Sequence, residues 1–246
     1  MSNPRWLVCL FDIDGTLLSS GGAGKAAMEA ALLQEFGLPG LQAQVSYSGR
    51  TDRAITLDLL KSHGLEPHEG HCRRLLNGYL RRLPECLRQH RGQVLPGVAE
   101  LLSELGARGS TLLGLLTGNV REGARLKLGH YGLVHHFQCG GYGDEHVDRD
   151  DVARTALAEV RGHLGESVRP GDIWVIGDTP LDVRCARAIG ARSLAVATGW
   201  HSHDELLAAE PDVLLPTLAE AANWLDELEQ FHASDTDEGS RTQFPR

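Results

Sequence analysis

The stretch LVCLFDIDGT, residues 7–16, joins an apolar run to two aspartates. The run predicts a buried β-strand, and Asp12 and Asp14 follow it with one residue between them. Side chains two residues apart on a strand share a face, so both carboxylates can enter one crevice. Close carboxylates repel unless a cation separates them, and Mg²⁺ prefers oxygen ligands. The stretch therefore indicates a strand that ends in a magnesium site; the alternative is a solvated turn with two incidental acids.

Further apolar runs predict a sheet built outward from this first strand. Buried strands are expected at 112–116, 173–176, 194–197 and 213–215, with a weaker one near 137–139. Glycine-containing turns and helical patterns follow most of them. This alternation predicts an α/β fold, with a Rossmann-like parallel sheet covered by helices on both faces.

Residues 19–92 interrupt the alternation. They contain three helical patterns, at 23–36, 52–63 and 71–89, and no convincing strand. Pro84 is expected to end or kink the third helix. We therefore predict a core domain from residues 1–18 and 93–228 and an all-helical insertion at 19–92. The polar, patternless residues 229–246 are expected to form a disordered tail.

Composition limits the possible partners and the compartment. The 246 residues carry a net charge of -9, which argues against a nucleic-acid-binding protein. The chain has no apolar run long enough for a membrane span. The five cysteines form no CxxC pair, which favours a reducing cytoplasm over a disulfide framework. We expect no nucleic-acid or membrane partner, and a monomer or a homodimer.

Polar groups also follow the later predicted strands, at the edge of the sheet where ligands bind. Thr117 ends one strand, and Asn119 can cap the next helix with Glu122 three residues on. The hydroxyl and the amides of Gly118 and Asn119 also suit an anion, and the two interpretations are compatible. Asp178 ends another strand. Asp182 follows it as the capping-box partner of Thr179, with Pro180 between them.

Arg149 lies before a helix among acids and is either a site cation or a surface charge.

The motif order DxDGT, strand-end Thr, basic residue and GDxxxD resembles the haloacid dehalogenase-like hydrolase superfamily over residues 5 to about 220. The insertion after the first motif, and SGRTD at 48–52 within it, resemble the helical cap of the phosphoglycolate phosphatase-like branch. The resemblance implies a Mg²⁺-dependent phosphatase acting on a small phosphorylated metabolite. Asp14 favours phosphoryl chemistry, because dehalogenases of the family normally lack the second aspartate.

The resemblance also implies a role for each motif residue. Asp12 would be the nucleophile that forms an aspartyl-phosphate, and Asp14 would be the general acid and base. Asp12, the Asp14 carbonyl and Asp178 would hold Mg²⁺, with Asp182 supporting the site. Thr117, Gly118, Asn119 and a cation would bind the phosphoryl oxygens.

The family usually has a lysine in the third motif, and this chain has none there. Its three lysines are Lys25, Lys61 and Lys127, of which two fall in the insertion and Lys127 in the helix after Thr117. We therefore predict that Arg149 replaces the lysine; His146 is a weaker candidate because neutral imidazole has no fixed charge.

Arg50 in the cap is a candidate partner for a substrate carboxylate; the alternative is a helix-start charge beside Asp52. Two other functions stay open. One is a sugar-phosphate mutase of the same superfamily, and the other is a non-catalytic binding protein on a phosphatase scaffold. A phosphate-accepting receiver domain is disfavoured by chain length and motif order.

Overall fold

A computed structural model describes residues 5–166, 168–226 and 228 of the chain. The strands among these residues are β1 Leu7–Phe11, β2 Leu18–Ser19, β3 Gln93–Val94, β4 Thr111–Leu116, β5 Cys139–Gly141, β6 Ile173–Gly177, β7 Arg192–Val196 and β8 Val213–Leu215. Six of them form one sheet in the order β5-β4-β1-β6-β7-β8, and every neighbouring pair is parallel. The other two form a short antiparallel ribbon, β2 with β3.

Helices cover both faces of the large sheet. The helices are α1 Ala23–Phe36, α2 Asp52–Ser62, α3 Glu69–Gln89, α4 Val98–Ala107, α5 Arg121–His130, α6 Arg149–Leu164, α7 Pro180–Ala188 and α8 His203–Ala208. Alternate residues of β1 enter two separate apolar layers. Cys9 and Phe11 pack in the layer that α4 and α5 cover, and Val8 and Leu10 in the layer that α6 and α7 cover. The predicted doubly covered parallel sheet is confirmed.

The first three helices form their own apolar cluster, which includes Met28, Leu59 and Tyr79. Strand β2 lies before this helical segment and β3 lies after it, so their pairing joins its two ends. The chain leaves the core after β1 and returns to it before α4. Sequence patterns missed the ribbon because two-residue strands carry no periodicity. Among the described residues, no helix is long and apolar enough to cross a bilayer.

Two local expectations differ from the structure in position or extent. The strand expected near 137–139 is β5 at Cys139–Gly141, because the apolar signal of Phe137 belongs to the turn before it. Helix α3 does not end at Pro84 but continues to Gln89, since Leu83 and Leu87 pack in the apolar cluster of the first three helices despite the missing N–H donor at Pro84. The predicted disordered tail, 229–246, lies outside the described residues.

Candidate active site

The carboxyl ends of three neighbouring strands place the sequence-predicted acids and the threonine side by side. Asp12 follows β1, Thr117 follows β4 and Asp178 follows β6, and β1 lies between the other two strands. The Asp12 N–H donates to the Ile176 carbonyl at 2.9 Å, which continues the ladder one residue beyond β1. The parallel register of the three strands therefore fixes the backbone positions of these three residues at the edge of the sheet.

Asp12, Asp178 and Asp182 form a buried carboxylate cluster in which one oxygen of each lies within 4.8 Å of the others. The Oδ1 atom of Asp12 is buried and accepts no hydrogen bond from the described residues. Asp178 Oδ1 accepts a hydrogen bond from the Thr16 hydroxyl at 2.9 Å. Three acids in one buried volume are unfavourable without a cation.

The raised pKa values of this cluster reflect the unfavourable burial of neighbouring negative charges. Burial raises the pKa of Asp12 to about 7, and the charges of Asp182 and Asp14 act in the same direction, while Arg149 opposes them. Burial and then the charge of Asp12 also raise the pKa of Asp178 well above its usual range. The metal-free cluster therefore holds protons that a bound cation would replace.

The cluster fits a hard divalent cation such as Mg²⁺. Its donors are carboxylate oxygens, and Asp12 Oδ1, which accepts no hydrogen bond from the described residues, is available to ligate. Both Asp182 oxygens are engaged: Oδ1 by Arg149, and Oδ2 by the N–H and the hydroxyl of Thr179. The predicted capping box at the start of α7 is thus present, and Asp182 lies beside the site as a supporting group.

Two glycines leave room for the Asp178 carboxylate. A Cβ at Gly15, whose φ is 91°, would overlap Asp178 Oδ2. A Cβ at Gly199, after β7, would overlap the same atom. Glycine at both positions lets two backbone segments close around this carboxylate.

The Asp14 side chain is not part of the acid cluster. Its Oδ2 atom accepts hydrogen bonds from Lys127 Nζ at 2.5 Å and from Asn119 Nδ2 at 2.9 Å. Its Oδ1 atom lies 3.5 Å from the Ser20 hydroxyl. The two aspartates of the first motif thus have different surroundings.

Arg149 lies inside the site. Its side chain is 3% exposed, its NH2 atom is 3.6 Å from Asp12 Oδ1, and it is paired with Asp182. Burial disfavours its charge, but Asp182 and Asp12 outweigh that effect and raise its pKa. A fixed cation therefore touches the proposed nucleophile. The alternative cation, His146, instead bonds to the Thr155 hydroxyl at 3.0 Å.

Sequence reasoning missed Lys127, which the expectation had set aside as a helix residue. Its side chain is buried, and Nζ contacts both Asp14 Oδ2 and Asn119 Oδ1, the latter at 2.6 Å. The buried positions of α5 are Gly123, Ala124, Lys127 and Leu128. A lysine on the inward stripe of an amphipathic helix was the available signal, because such a charge needs a buried partner.

The predicted Asn119–Glu122 cap of α5 is wrong. Asn119 donates to Thr117 Oγ1 at 2.9 Å as well as to Asp14, so its amide serves the site. The helix begins at Arg121, and acids from elsewhere accept its first N–H groups. Asp52 Oδ2 binds the Val120 N–H at 2.9 Å, and Asp144 Oδ2 binds the Arg121 N–H at 2.8 Å.

Segment 48–52 of the helical insertion contacts the loops that carry these groups. Asp52 N–H donates to the Gly118 carbonyl at 2.7 Å, and the Thr51 hydroxyl donates to the Val147 carbonyl at 3.2 Å. Ser48 Oγ lies 3.3 Å from His201 Nε2, beyond β7. Burial raises the pKa of Asp52 to about 6, against the opposing charge of Lys127. The insertion therefore meets the core at the strand ends.

Arg50 lies in this segment, but its guanidinium does not contact the acid cluster. It pairs with Asp58 Oδ2 at 2.6 Å and donates to the Ser46 carbonyl at 3.2 Å. Arg50 and Arg149 line the same cavity of about 450 Å³ between the insertion and the core. A contact between Arg50 and a substrate stays a prediction.

A family model described as haloacid dehalogenase-like hydrolase matches residues 6–190. The chain is 32% identical to a phosphoglycolate phosphatase of Synechococcus elongatus, over 85% of this chain and 92% of that protein. It is 30% identical to a phosphoserine phosphatase of Thermus thermophilus, over 80% of this chain and 74% of that protein. Among solved structures, CbbY from Rhodobacter sphaeroides in complex with phosphate has a TM-score of 0.72 at 19% identity, covering 89% and 97% of the two chains.

The chain therefore belongs to the haloacid dehalogenase-like hydrolases, in the phosphoglycolate phosphatase-like branch. Within that family it is a phosphatase. The family resemblance seen in the sequence motifs is confirmed, and the structural likeness supports the same fold.

Proposed function

We propose that this chain hydrolyses a small phosphomonoester through an aspartyl-phosphate on Asp12. One observation carries the proposal: Asp12 is buried with a free Oδ1, next to Asp178 and Arg149, while Asp14 is held apart by other donors. A nucleophile and an acid–base group two residues apart thus have separate surroundings.

The proposed reaction has two displacements at phosphorus. An Asp12 oxygen attacks the phosphorus, the bond to the substrate oxygen breaks, and Asp14 gives that oxygen its proton. Asp14 then takes a proton from water as the water oxygen attacks the aspartyl-phosphate, which releases inorganic phosphate and restores Asp12. The Thr117 hydroxyl and the Gly118 and Asn119 segment lie at the strand end where phosphoryl oxygens would be held.

Charge decides whether this reaction is feasible. A carboxylate that approaches a phosphate dianion is repelled, so fixed positive charge must be in place first. Arg149 supplies it from 3.6 Å away from Asp12 Oδ1. Asp12, Asp178 and the Asp14 carbonyl would hold Mg²⁺, with Asp182 in support. The bound ion would neutralise charge on the phosphoryl group.

The segment 19–92 is proposed to act as a cap that excludes water and selects the substrate. Its contacts through Thr51 and Asp52 with the loops after β4 and β5 support this role. The core would comprise residues 1–18 and 93–228. The five free cysteines suit a reducing cytoplasm, which we propose as the compartment.

The proposed metal site is tested first by turnover and metal titration. Hydrolysis of p-nitrophenyl phosphate is expected with Mg²⁺ and should stop in EDTA. Because the pKa of Asp12 is about 7 without metal, its carboxyl holds a proton at lower pH that Mg²⁺ must displace. Mg²⁺ affinity should therefore rise between about pH 6 and about pH 8, by up to about tenfold per pH unit for each proton released.

Calorimetric Mg²⁺ titration of EDTA-treated protein, in buffers with different ionisation enthalpies, counts the protons released independently of activity. The same pKa shift gives a stability sign: an acid whose folded pKa is raised stabilises at low pH, and this contribution is lost as pH rises through about 7. The free energy of unfolding of the metal-free protein should thus fall between about pH 6 and about pH 8. Added Mg²⁺ should restore the lost stability. Affinity that does not change with pH would argue against metal binding at Asp12.

Phosphoglycolate is the first substrate to test, because the relative with 32% identity is named for it. We propose that Arg50 meets the substrate carboxylate from the cavity that it shares with Arg149. Arg50→Ala should raise KM for phosphoglycolate about tenfold or more and leave KM for the neutral p-nitrophenyl group nearly unchanged. Arg53→Ala, which removes an exposed pair with Glu69, is the matched control. Equal effects on both substrates would remove Arg50 from carboxylate recognition.

A further inference from the structure

Lys127 ties together two groups of the site that no sequence motif connects with it. Its ammonium lies 2.5 Å from Asp14 Oδ2 and 2.6 Å from Asn119 Oδ1. The Asn119 amide nitrogen bonds to the same Asp14 oxygen at 2.9 Å, and to Thr117 Oγ1 at 2.9 Å. Lys127, Asn119 and Asp14 thus form a closed hydrogen-bonded triangle beside the proposed phosphoryl site.

The ammonium is charged although its side chain is only 6% exposed. Burial disfavours the charge, but Asp14 and then Asp52 outweigh that effect and raise the pKa of Lys127. Helix α1 closes over it, since a Cβ at Gly24 would lie 3.2 Å from Nζ. A buried ion pair is rarely the best way to stabilise a core, because apolar side chains of similar size do as well or better. Stability alone therefore does not explain a lysine here.

Asp14, the partner of Lys127, has few other contacts that would fix the position of its carboxyl group. Asp14 is 38% exposed and lies outside the cluster of Asp12, Asp178 and Asp182. Among the described residues, its side chain has one further hydrogen-bond partner besides Lys127 and Asn119, the Ser20 hydroxyl, at a long 3.5 Å. A general acid works only within hydrogen-bond reach of the oxygen that it protonates. An exposed aspartate without a strong partner would spend much of its time in other rotamers.

We infer that Lys127 is a positioning residue that holds the Asp14 carboxyl group on the leaving-group side of the site. This inference rests on the proposed function, in which Asp14 gives its proton to the departing oxygen. The ammonium of Lys127 pairs with Asp14 and Asn119 and not with the side chains of the acid cluster, so it would act through Asp14, with Asn119 as the second anchor. Its loss should therefore affect most the substrates whose leaving oxygen needs a proton.

A series of substituted phenyl phosphates tests this. The value of kcat/KM covers the steps up to aspartyl-phosphate formation, in which the leaving group departs. For the parent protein, kcat/KM should change little from p-nitrophenyl phosphate, a good leaving group, to phenyl phosphate, a poor one. Lys127→Met should lower kcat/KM for p-nitrophenyl phosphate by no more than about threefold and for phenyl phosphate by about 10²-fold, the size of a general-acid contribution.

Controls separate this effect from a structural one. Lys61→Met removes an exposed lysine of α2 and should leave the whole series unchanged. Thermal melting establishes that Lys127→Met is folded, and Lys127→Gln is the second variant if it is not. Asp14→Asn should give the same steep dependence on the leaving group, and adding Lys127→Met to it should cause no further loss, because both act on one step.

A uniform loss across the series for Lys127→Met, beside a steep series for Asp14→Asn, would overturn the positioning role and leave the proposed function standing. A flat series for Asp14→Asn itself would remove proton transfer from Asp14, and with it both the acid–base assignment and this inference.

Discussion

Asp12→Asn is expected to abolish turnover of p-nitrophenyl phosphate and of phosphoglycolate alike. The amide cannot attack phosphorus as a carboxylate does, and removal of a covalent nucleophile typically costs about 10⁴- to 10⁶-fold in kcat. Steady-state assays with Mg²⁺, on protein purified in parallel with the parent, measure the loss. Trapping with beryllium fluoride, an acyl-phosphate mimic, should succeed with the parent protein and fail with the variant.

The variant should lose activity without losing its fold. Asp12 has a pKa of about 7 because of burial, so its ionisation above that pH destabilises the metal-free protein. Asparagine removes that charge at a similar volume. In EDTA at about pH 8, Asp12→Asn should therefore melt at a temperature equal to or above that of the parent. Turnover above about a hundredth of the parent value would contradict the nucleophile assignment.

Arg149→Ala is expected to have the second-largest effect, on both activity and stability. Without the guanidinium, Asp12 and Asp182 lose their fixed cation while Asp178 stays close to both. Breaking a buried ion pair from one side costs about 3–5 kcal/mol. Loss of one preorganised electrostatic contact in an active site lowers kcat by about 10²- to 10³-fold. Denaturant unfolding in EDTA and steady-state kinetics with Mg²⁺ measure the two effects separately.

Two variants give the reference points for Arg149. Arg149→Lys keeps a positive charge and should retain more activity than alanine, although lysine lacks the forked geometry that reaches Asp182 and Asp12 together. Arg184→Ala removes an exposed arginine that pairs with Asp148 and Asp150, and should change stability by less than about 1 kcal/mol. Near-normal turnover of Arg149→Ala would show that another cation serves the phosphoryl group.

Some features of the site follow from local patterns. The Thr179–Asp182 capping box forms as its spacing predicts. It depends on residues three apart at a helix start, so neighbouring sequence is sufficient. By contrast, the expected Asn119 cap failed because a distant acid, Asp52, accepts the hydrogen bond at the start of α5, and Asn119 turns to Asp14.

The sequence by itself determined the sheet and its acidic edge. The alternation of apolar strands and helical patterns predicted the parallel α/β core, and the position of Asp12 directly after β1 placed it at the ligand-binding edge. These features depend on periodicity and on short spacing, which are visible in one chain segment at a time.

Only the tertiary structure decided which cations meet which acids. Lys127 contacts Asp14 across 113 residues of sequence, and Arg149 contacts Asp182 across 33. Such pairs depend on the angle at which a helix packs on the sheet and on which turn faces inward. A one-residue rotation of α5 would carry Lys127 to another face, and no local pattern specifies that rotation against a partner so far away in the chain.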